Sequence, residues 1–264
     1  MENSDKRLAE RLRLEPYPLS SKYDIRWVLE NQMGPNVLWL TEALCRHMDI
    51  RPGMRLLDMG CGKAISSVFL AREFGAKVWA NDLWIPAKDN WERIVQAGME
   101  NEVFPIHAEA HALPYAEGFF EAVASLDSYH YYGTDDLYLK YILSFLKPGG
   151  QIGIVVPALM REFGDRVPEH LTQAGPDGKP FWDSAECFSI RTLDWWRRHW
   201  TQTELVDVEV AETIPDGWRE WLMWAEALDE LGMGFPDEAP ALREDRGEYL
   251  GFAVLVARRR EVRS

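Results

Sequence analysis

The residues best suited to chemistry fall in two short runs of the 264-residue chain. The first is Asp58-Met59-Gly60-Cys61-Gly62, followed some twenty residues later by Asp82. Glycines let a backbone turn tightly and approach a ligand closely. A carboxylate such as Asp82 has two oxygens that accept from a pair of adjacent hydroxyls, like those of a ribose. Asp58 is suited to orienting the turn through backbone amides or to meeting a ligand ammonium through water. Cys61 lies inside the ligand turn, where its small side chain packs rather than reacts. The second run is Ser125–Asp136, carrying Tyr129, His130, Tyr131 and Tyr132. His130 titrates near neutrality and is the candidate general base, with Tyr129 beside it as the other candidate catalytic residue. The tyrosine rings suit an aromatic or cationic acceptor.

The elements expected to position these groups follow from pattern. Arg55–Met59 reads as a strand, Gly60 and Gly62 as a turn, Ile65–Phe74 as a helix, and Lys77–Asn81 as a second strand ending at Asp82. That is a β-α-β nucleotide-binding unit, with the acid delivered to the ligand crevice. The run Gly60-Cys61-Gly62-Lys63-Ala64-Ile65 lacks the third glycine of the dinucleotide fingerprint, which argues against a nicotinamide dinucleotide. The tyrosine-histidine run follows an expected strand, Ala122–Ser125. It therefore falls at a strand's carboxyl end, where open α/β sheets bind ligands.

Asp-x-Gly-x-Gly closing the first strand and an acid closing the second resemble class I S-adenosylmethionine-dependent methyltransferases. Two later segments extend the resemblance: AEAHALPYAEGFFEAVASLDS (108–128) and LKPGGQIGIVVP (146–157). Together it covers about residues 37–158. The chain is most similar to the small-molecule branch related to the ubiquinone/menaquinone type. The resemblance implies an α/β, doubly wound, Rossmann-like seven-stranded sheet. Its implied order is 3-2-1-4-5-7-6, with strand seven antiparallel and helical cap elements around it.

The same resemblance implies S-adenosylmethionine as cofactor, with Asp82 on the ribose and Gly60 and Gly62 beside the ribose and amino-acid portion. It places Glu109 at the adenine amine, the Ala110 amide at a ring nitrogen and Ser125 at the donor's reactive end. Leu83 and Trp84 follow the ribose acid and flank the adenine. An N-terminal segment covers the cofactor in similar enzymes, which makes Tyr23 a lid contact. Ala64 stands where the family often has glycine.

Formal charge is −14, which repels nucleic-acid phosphates over most of the surface. No Asn-Pro-Pro-Tyr-like signature of nucleic-acid amino methylation follows the expected fourth strand. No run of 18 apolar residues marks a membrane span. The start lacks a secretion-signal core, and the three cysteines are widely spaced, so a reducing cytoplasm is expected. The histidines show no metal-ligand spacing, so no metal is expected.

A single domain is expected over 1–264. Within it lie an N-terminal lid segment (1–36), a cofactor-binding core (37–158) and acceptor-side cap elements (159–202 and 212–247). Pro168, Gly175-Pro176-Asp177-Gly178 and Pro180 mark a loop-rich insertion. A helix is expected to open near Thr134-Asp135-Asp136, and residues 233–247 read as a Pro- and acid-rich connection. Tryptophan is abundant, with twelve residues, several of them in the cap. Trp182, Trp195, Trp196, Trp218 and Trp221 are candidates for an acceptor wall or for plain core packing.

The expected function is methyl transfer by in-line displacement to a small, apolar or aromatic-containing metabolite, with His130 as base. The alternatives are a lipid-like or isoprenoid acceptor, or a non-catalytic S-adenosylmethionine-binding regulator. The receiving atom stays open among O, N, C and S.

Overall fold

The computed structural model describes residues 2–175 and 177–261. Met1 and residues 262–264, the ends of the expected domain, and Pro176 of the expected loop lie outside them. Three helices open the chain: α1 (Glu2–Arg11), α2 (Ile25–Asn31) and α3 (Val37–Cys45). Asp24 caps α2 by accepting from the Trp27 amide at 3.0 Å, and Asn36 caps α3 through the Leu38 and Trp39 amides. Such caps satisfy amides that have no partner inside a helix.

The nucleotide-binding unit follows: β1 (Arg55–Met59), α4 (Ile65–Phe74) and β2 (Lys77–Asp82). Gly75, at φ +69°, ends α4 in the left-handed conformation that glycine adopts freely. Next come α5 (Ala87–Gln96), β3 (Val103–His107), β4 (Phe120–Leu126), α6 (Tyr138–Ser144) and β5 (Leu146–Leu159). The expected helix near Thr134 begins later, at Tyr138. Asp135 Oδ1 instead accepts the Leu137 amide at 2.7 Å, so this acid builds a turn rather than a helix cap.

The cap and the last strands are α7 (Glu169–Thr172), β6 (Arg191–Thr192), α8 (Leu193–Thr201), β7 (Val206–Thr213), α9 (Gly217–Glu230), α10 (Glu238–Asp245) and β8 (Leu250–Arg259). Helix α10 occupies a stretch expected to be a connection. Its proline, Pro240, sits in the first turn, where a missing N–H costs no helical hydrogen bond.

The sheet runs β3-β2-β1-β4-β5-β8-β7, with the two-residue β6 paired to β5. Strands β3, β2, β1, β4 and β5 are parallel, and β8 is antiparallel to both its neighbours. This is the implied doubly wound order. Alternate strand residues feed two layers, as the pleat requires. Leu56, Ala122, Ala124 and Val155 pack with α3, α4, α9 and α10. Leu57, Val123, Ile154 and Val156 pack with α6 and α8. Both faces are covered, which explains the near-continuous apolar strands.

The N-terminal segment is tied down by a buried acid. Glu42, 5% exposed, accepts from the Leu19 amide (3.0 Å), the Ser20 amide (2.7 Å) and the Ser20 hydroxyl (2.6 Å). Farther along, Trp224 Nε1 of α9 donates to the Gly34 carbonyl at 2.9 Å. These bonds carry residues 31–37 to the carboxyl ends of β1 and β4.

Candidate functional site

The glycine turn is pinned to the end of β2. The amides of Gly60 and Cys61 both donate to the Asn81 carbonyl (2.8 and 3.0 Å), and the Gly62 amide donates to Asp82 Oδ2 at 2.8 Å. Gly60 has φ +73°, and a Cβ there would lie 1.8 Å from Ser128 Oγ. Both facts require glycine. Ala64, at φ +61°, holds the left-handed position where the family often has glycine, at a cost on the order of 1–2 kcal/mol.

Above this turn lies a cavity of about 270 Å³, close to the ~300 Å³ lower end of small-molecule sites. One end is walled by Asp82, Leu83, Trp84 and residues 108–111. The other is walled by residues 33–35, Leu126, Asp127, Ser128, Tyr131 and Tyr132, with Gly60, Cys61, Gly62 and Lys63 between them. Trp84 and Tyr131 are 66% and 59% exposed and meet edge to face at 5.7 Å, joining the two walls at the rim.

Of the sequence-predicted residues, Gly60, Cys61, Gly62, Asp82, Leu83, Glu109 and Ala110 line the cavity. Asp82 already accepts three amides: Gly62 on Oδ2, and Trp84 (2.7 Å) and Ile85 (2.9 Å) on Oδ1. A carboxylate has about four acceptor positions, so one remains for a ligand hydroxyl. Glu109 accepts from the His111 amide (2.8 Å) and bonds His111 Nδ1 (2.9 Å), and the His111 bond holds its carboxyl below the usual range. Burial pushes the Cys61 thiol well up, so it packs un-ionised against Asn90.

Five predicted residues do not line the cavity. Asp58 is fully buried beneath the turn. There it accepts from the Ser66 and Ser67 hydroxyls at 2.6 Å each, and burial raises its pKa to about 6. Ser125, also fully buried, donates to the Met59 carbonyl at 2.8 Å and is screened by the Tyr132 hydroxyl at 2.9 Å. Tyr23 packs against Trp27 and Phe69 over α4, away from the cavity. Tyr129 is a core residue, ringed by Tyr132, Tyr138, Trp196 and Trp200.

His130 does not line the cavity either. It is 4% exposed, packs at a tilt against Tyr131 with ring centres 4.1 Å apart, and its Nδ1 has no hydrogen-bond partner. Burial lowers its pKa to about 4. None of the cap tryptophans lines the cavity either. Trp196 and Trp200 fill one core layer, and Trp182 and Trp221 the other.

Asp127 is a cavity residue that residue type and spacing did not single out. It closes β4 at φ +52°, lines the cavity, and has no hydrogen-bond or ion-pair partner for its carboxyl among the described residues. Burial, then the charge of Glu238, raises its pKa to about 8. The available signal was an acid directly following a strand's apolar run.

Sheet order, glycine turn and strand-end acid are those that the resemblance to class I S-adenosylmethionine-dependent methyltransferases implies. The cavity residues fit that cofactor: a glycine-bare floor, a ribose acid with an acceptor position to spare, and an adenine-side loop. Comparison with known proteins agrees. Residues 56–150 match the family model described as a methyltransferase domain. The chain is 31% identical over 116 residues to "Methyltransferase GfsG" of Streptomyces halstedii, which covers 44% of this chain and 42% of that protein. It is 27% identical over 169 residues to a demethylmenaquinone methyltransferase of Mycobacterium sp. (strain KMS), covering 61% and 70% respectively. The chain thus spans less than half the length of the first relative. A solved structure described as a putative sarcosine dimethylglycine methyltransferase from Galdieria sulphuraria superposes with a TM-score of 0.67. It is 17% identical and is covered over 98% of both chains, a likeness of fold.

Proposed function

We propose that the protein transfers the methyl group of S-adenosylmethionine to a small organic acceptor. The observation that carries this reading is the single cavity joining the glycine turn and Asp82 to an apolar and aromatic wall of Met33, Pro35, Leu126, Tyr131 and Tyr132. The cofactor supplies an electrophilic methyl on a sulfonium. The chain's own residues bind, align and exclude water, which is what an in-line displacement requires. In this reading Asp82 accepts from the ribose, Gly60 and Gly62 admit the backbone-side portion of the donor, and Glu109 and Ala110 face the adenine. Leu83 and Trp84 flank it. Asp58 holds the turn from below through Ser66 and Ser67.

The aromatic rim favours an apolar or ring-bearing acceptor. A quinone-type ring, which the resemblance to the ubiquinone/menaquinone branch suggests, is one member of that class. No helix of the described residues is long and apolar enough to cross a membrane. The reading assigns no base role to His130, because its ring is enclosed behind Tyr131 and neutral.

Calorimetric titration with S-adenosylhomocysteine tests it. Wild-type protein is expected to bind, and Asp82→Ala to lose about 10–100-fold in affinity, the worth of one hydrogen bond to a charged group. Unchanged affinity in the variant removes Asp82 from the donor site, and no binding by the wild type overturns the reading.

A further inference from the structure

Four charged side chains and one histidine line the cavity: Lys63, Asp82, Glu109, Asp127 and His111. All but one are engaged by protein. Lys63 Nζ donates to the Glu30 carbonyl at 3.0 Å, Asp82 accepts three amides, and Glu109 and His111 bond each other. Asp127 alone has no side-chain partner among the described residues.

Its position is also the most constrained. The backbone at Asp127 is left-handed, a conformation that clusters at ligand sites when a non-glycine residue adopts it. The Asp127 amide is held by the Val155 carbonyl at 2.8 Å, which fixes it to the end of the β4–β5 pair. Its Oδ2 lies so close to Gly34 that the lid offers backbone alone there. The groups that act on it electrostatically are acidic or neutral: Glu238 of α10, and Tyr131, whose hydroxyl is raised to about 12. Among the described residues no cation pairs with it.

Asp127 is half-buried in the cleft wall, so an acceptor that strips water from its carboxyl without supplying a donor meets the cost of an unpaired polar group. The chemistry that removes this cost is a ligand that brings a hydrogen on oxygen or nitrogen. A purely carbon nucleophile brings none. We propose that Asp127 is the acceptor-recognising residue of the cavity, and that the acceptor is an O–H or N–H compound whose heteroatom hydrogen bonds to its carboxyl. This rests on the methyltransferase reading and narrows its acceptor to a compound that carries an O–H or N–H group.

The test uses three fragments of nearly equal shape: phenol, aniline and toluene. Each is titrated by ligand-observed NMR into full-length protein saturated with S-adenosylhomocysteine, for wild type, Asp127→Ala and the isosteric Asp127→Asn. Phenol and aniline are expected to bind the wild type about three- to tenfold tighter than toluene, as one hydrogen bond to the carboxyl implies. The preference is expected to vanish in Asp127→Ala and to shrink in Asp127→Asn, with S-adenosylhomocysteine affinity within about twofold of wild type throughout. Equal binding of the three fragments to the wild type, including none at all, overturns the proposal, as does a preference that survives in Asp127→Ala. A large loss of S-adenosylhomocysteine affinity in both variants also overturns it, since Asp127 then serves the donor. Failure of the wild type to bind S-adenosylhomocysteine is a separate result and counts against the cofactor reading itself. A melting curve for Asp127→Asn confirms that the fold is kept.

Discussion

Asp127 Oδ2 stands 2.7 Å from the point where a Cβ on Gly34 would be. Two segments far apart in sequence thereby come close together: the loop entering α3 and the end of β4. The Gly34 carbonyl is held from the other side by Trp224 Nε1. A methyl group at position 34 must push the carboxyl away or break that bond. Gly34→Ala is therefore expected to cost about 1–3 kcal/mol of stability, as overpacking does. It is also expected to weaken the phenol-over-toluene preference while leaving S-adenosylhomocysteine binding near wild type. Urea unfolding and the fragment titration check both parts. A variant with wild-type stability and preference shows that the contact constrains nothing.

Three acids with raised pKa values weaken the fold as pH rises from about 4 toward 8. Asp58 at about 6, Glu238 at about 7 and Asp127 at about 8 are all raised above ordinary carboxylate values by burial first. A raised acid leaves the folded state holding more protons than the unfolded chain. Its favourable share is fully present below about pH 4 and is lost as pH rises through the folded value. Asp127→Asn removes one such loss. At pH 9 the variant is expected to be more stable than wild type by about 1–3 kcal/mol, and at pH 4 the two should be near equal. Denaturant curves at the two pH values measure this. An identical difference at both leaves Asp127 without the assigned titration.

Much of this was legible in sequence, and the reason is local. Gly60, Gly62 and Asp82 are set by backbone geometry within one β-α-β unit, so their types and spacing announce them. Ala64 could be picked out as a departure from glycine, and the structure shows its left-handed backbone. The acceptor end was not legible, because side-chain direction after β4 depends on tertiary packing. Tyr129 turns into the tryptophan layer and His130 behind Tyr131, while Asp127 reaches the cavity. A tyrosine-histidine cluster looks chemical in a linear reading, yet here mainly Tyr131 and Tyr132 meet the ligand space. The cap tryptophans misled for the same reason: large rings serve a core as readily as a pocket.

Glu42 is expected to act on the site from a distance. It is buried in α3 and accepts three hydrogen bonds from Leu19 and Ser20. Glu42→Ala leaves the buried Ser20 amide and the part-buried Leu19 amide without that partner, at a cost of about 1–3 kcal/mol, while the Ser20 hydroxyl keeps the Leu38 carbonyl. Because those bonds seat the N-terminal segment, hydrogen exchange is expected to quicken at residues 17–23 before it does at β1 or β4. Mass-resolved exchange of wild type and variant gives the comparison, and uniform quickening across the sheet contradicts a local anchoring role.

His130→Phe separates a buried packing residue from a base. Burial holds His130 near pKa 4, against about 6.5 for the unfolded chain. A depressed base costs the folded state when the ring should be charged. Wild-type stability is therefore fully present above about pH 6.5 and is lost as pH falls toward 4. Phenylalanine cannot titrate, so the variant is expected to lose about 1–3 kcal/mol less than wild type between pH 7.5 and pH 4.5. Nδ1 makes no hydrogen bond, so its removal leaves no group unpaired there. The ring packed against Tyr131 is replaced by one of similar size, which keeps the rim in place. S-Adenosylhomocysteine affinity and the fragment preference should both survive, whereas a base poised at the acceptor would lose the second. Paired denaturation curves and titrations of the variant decide between these, and loss of the fragment preference in a stably folded His130→Phe protein would return the histidine to the acceptor site.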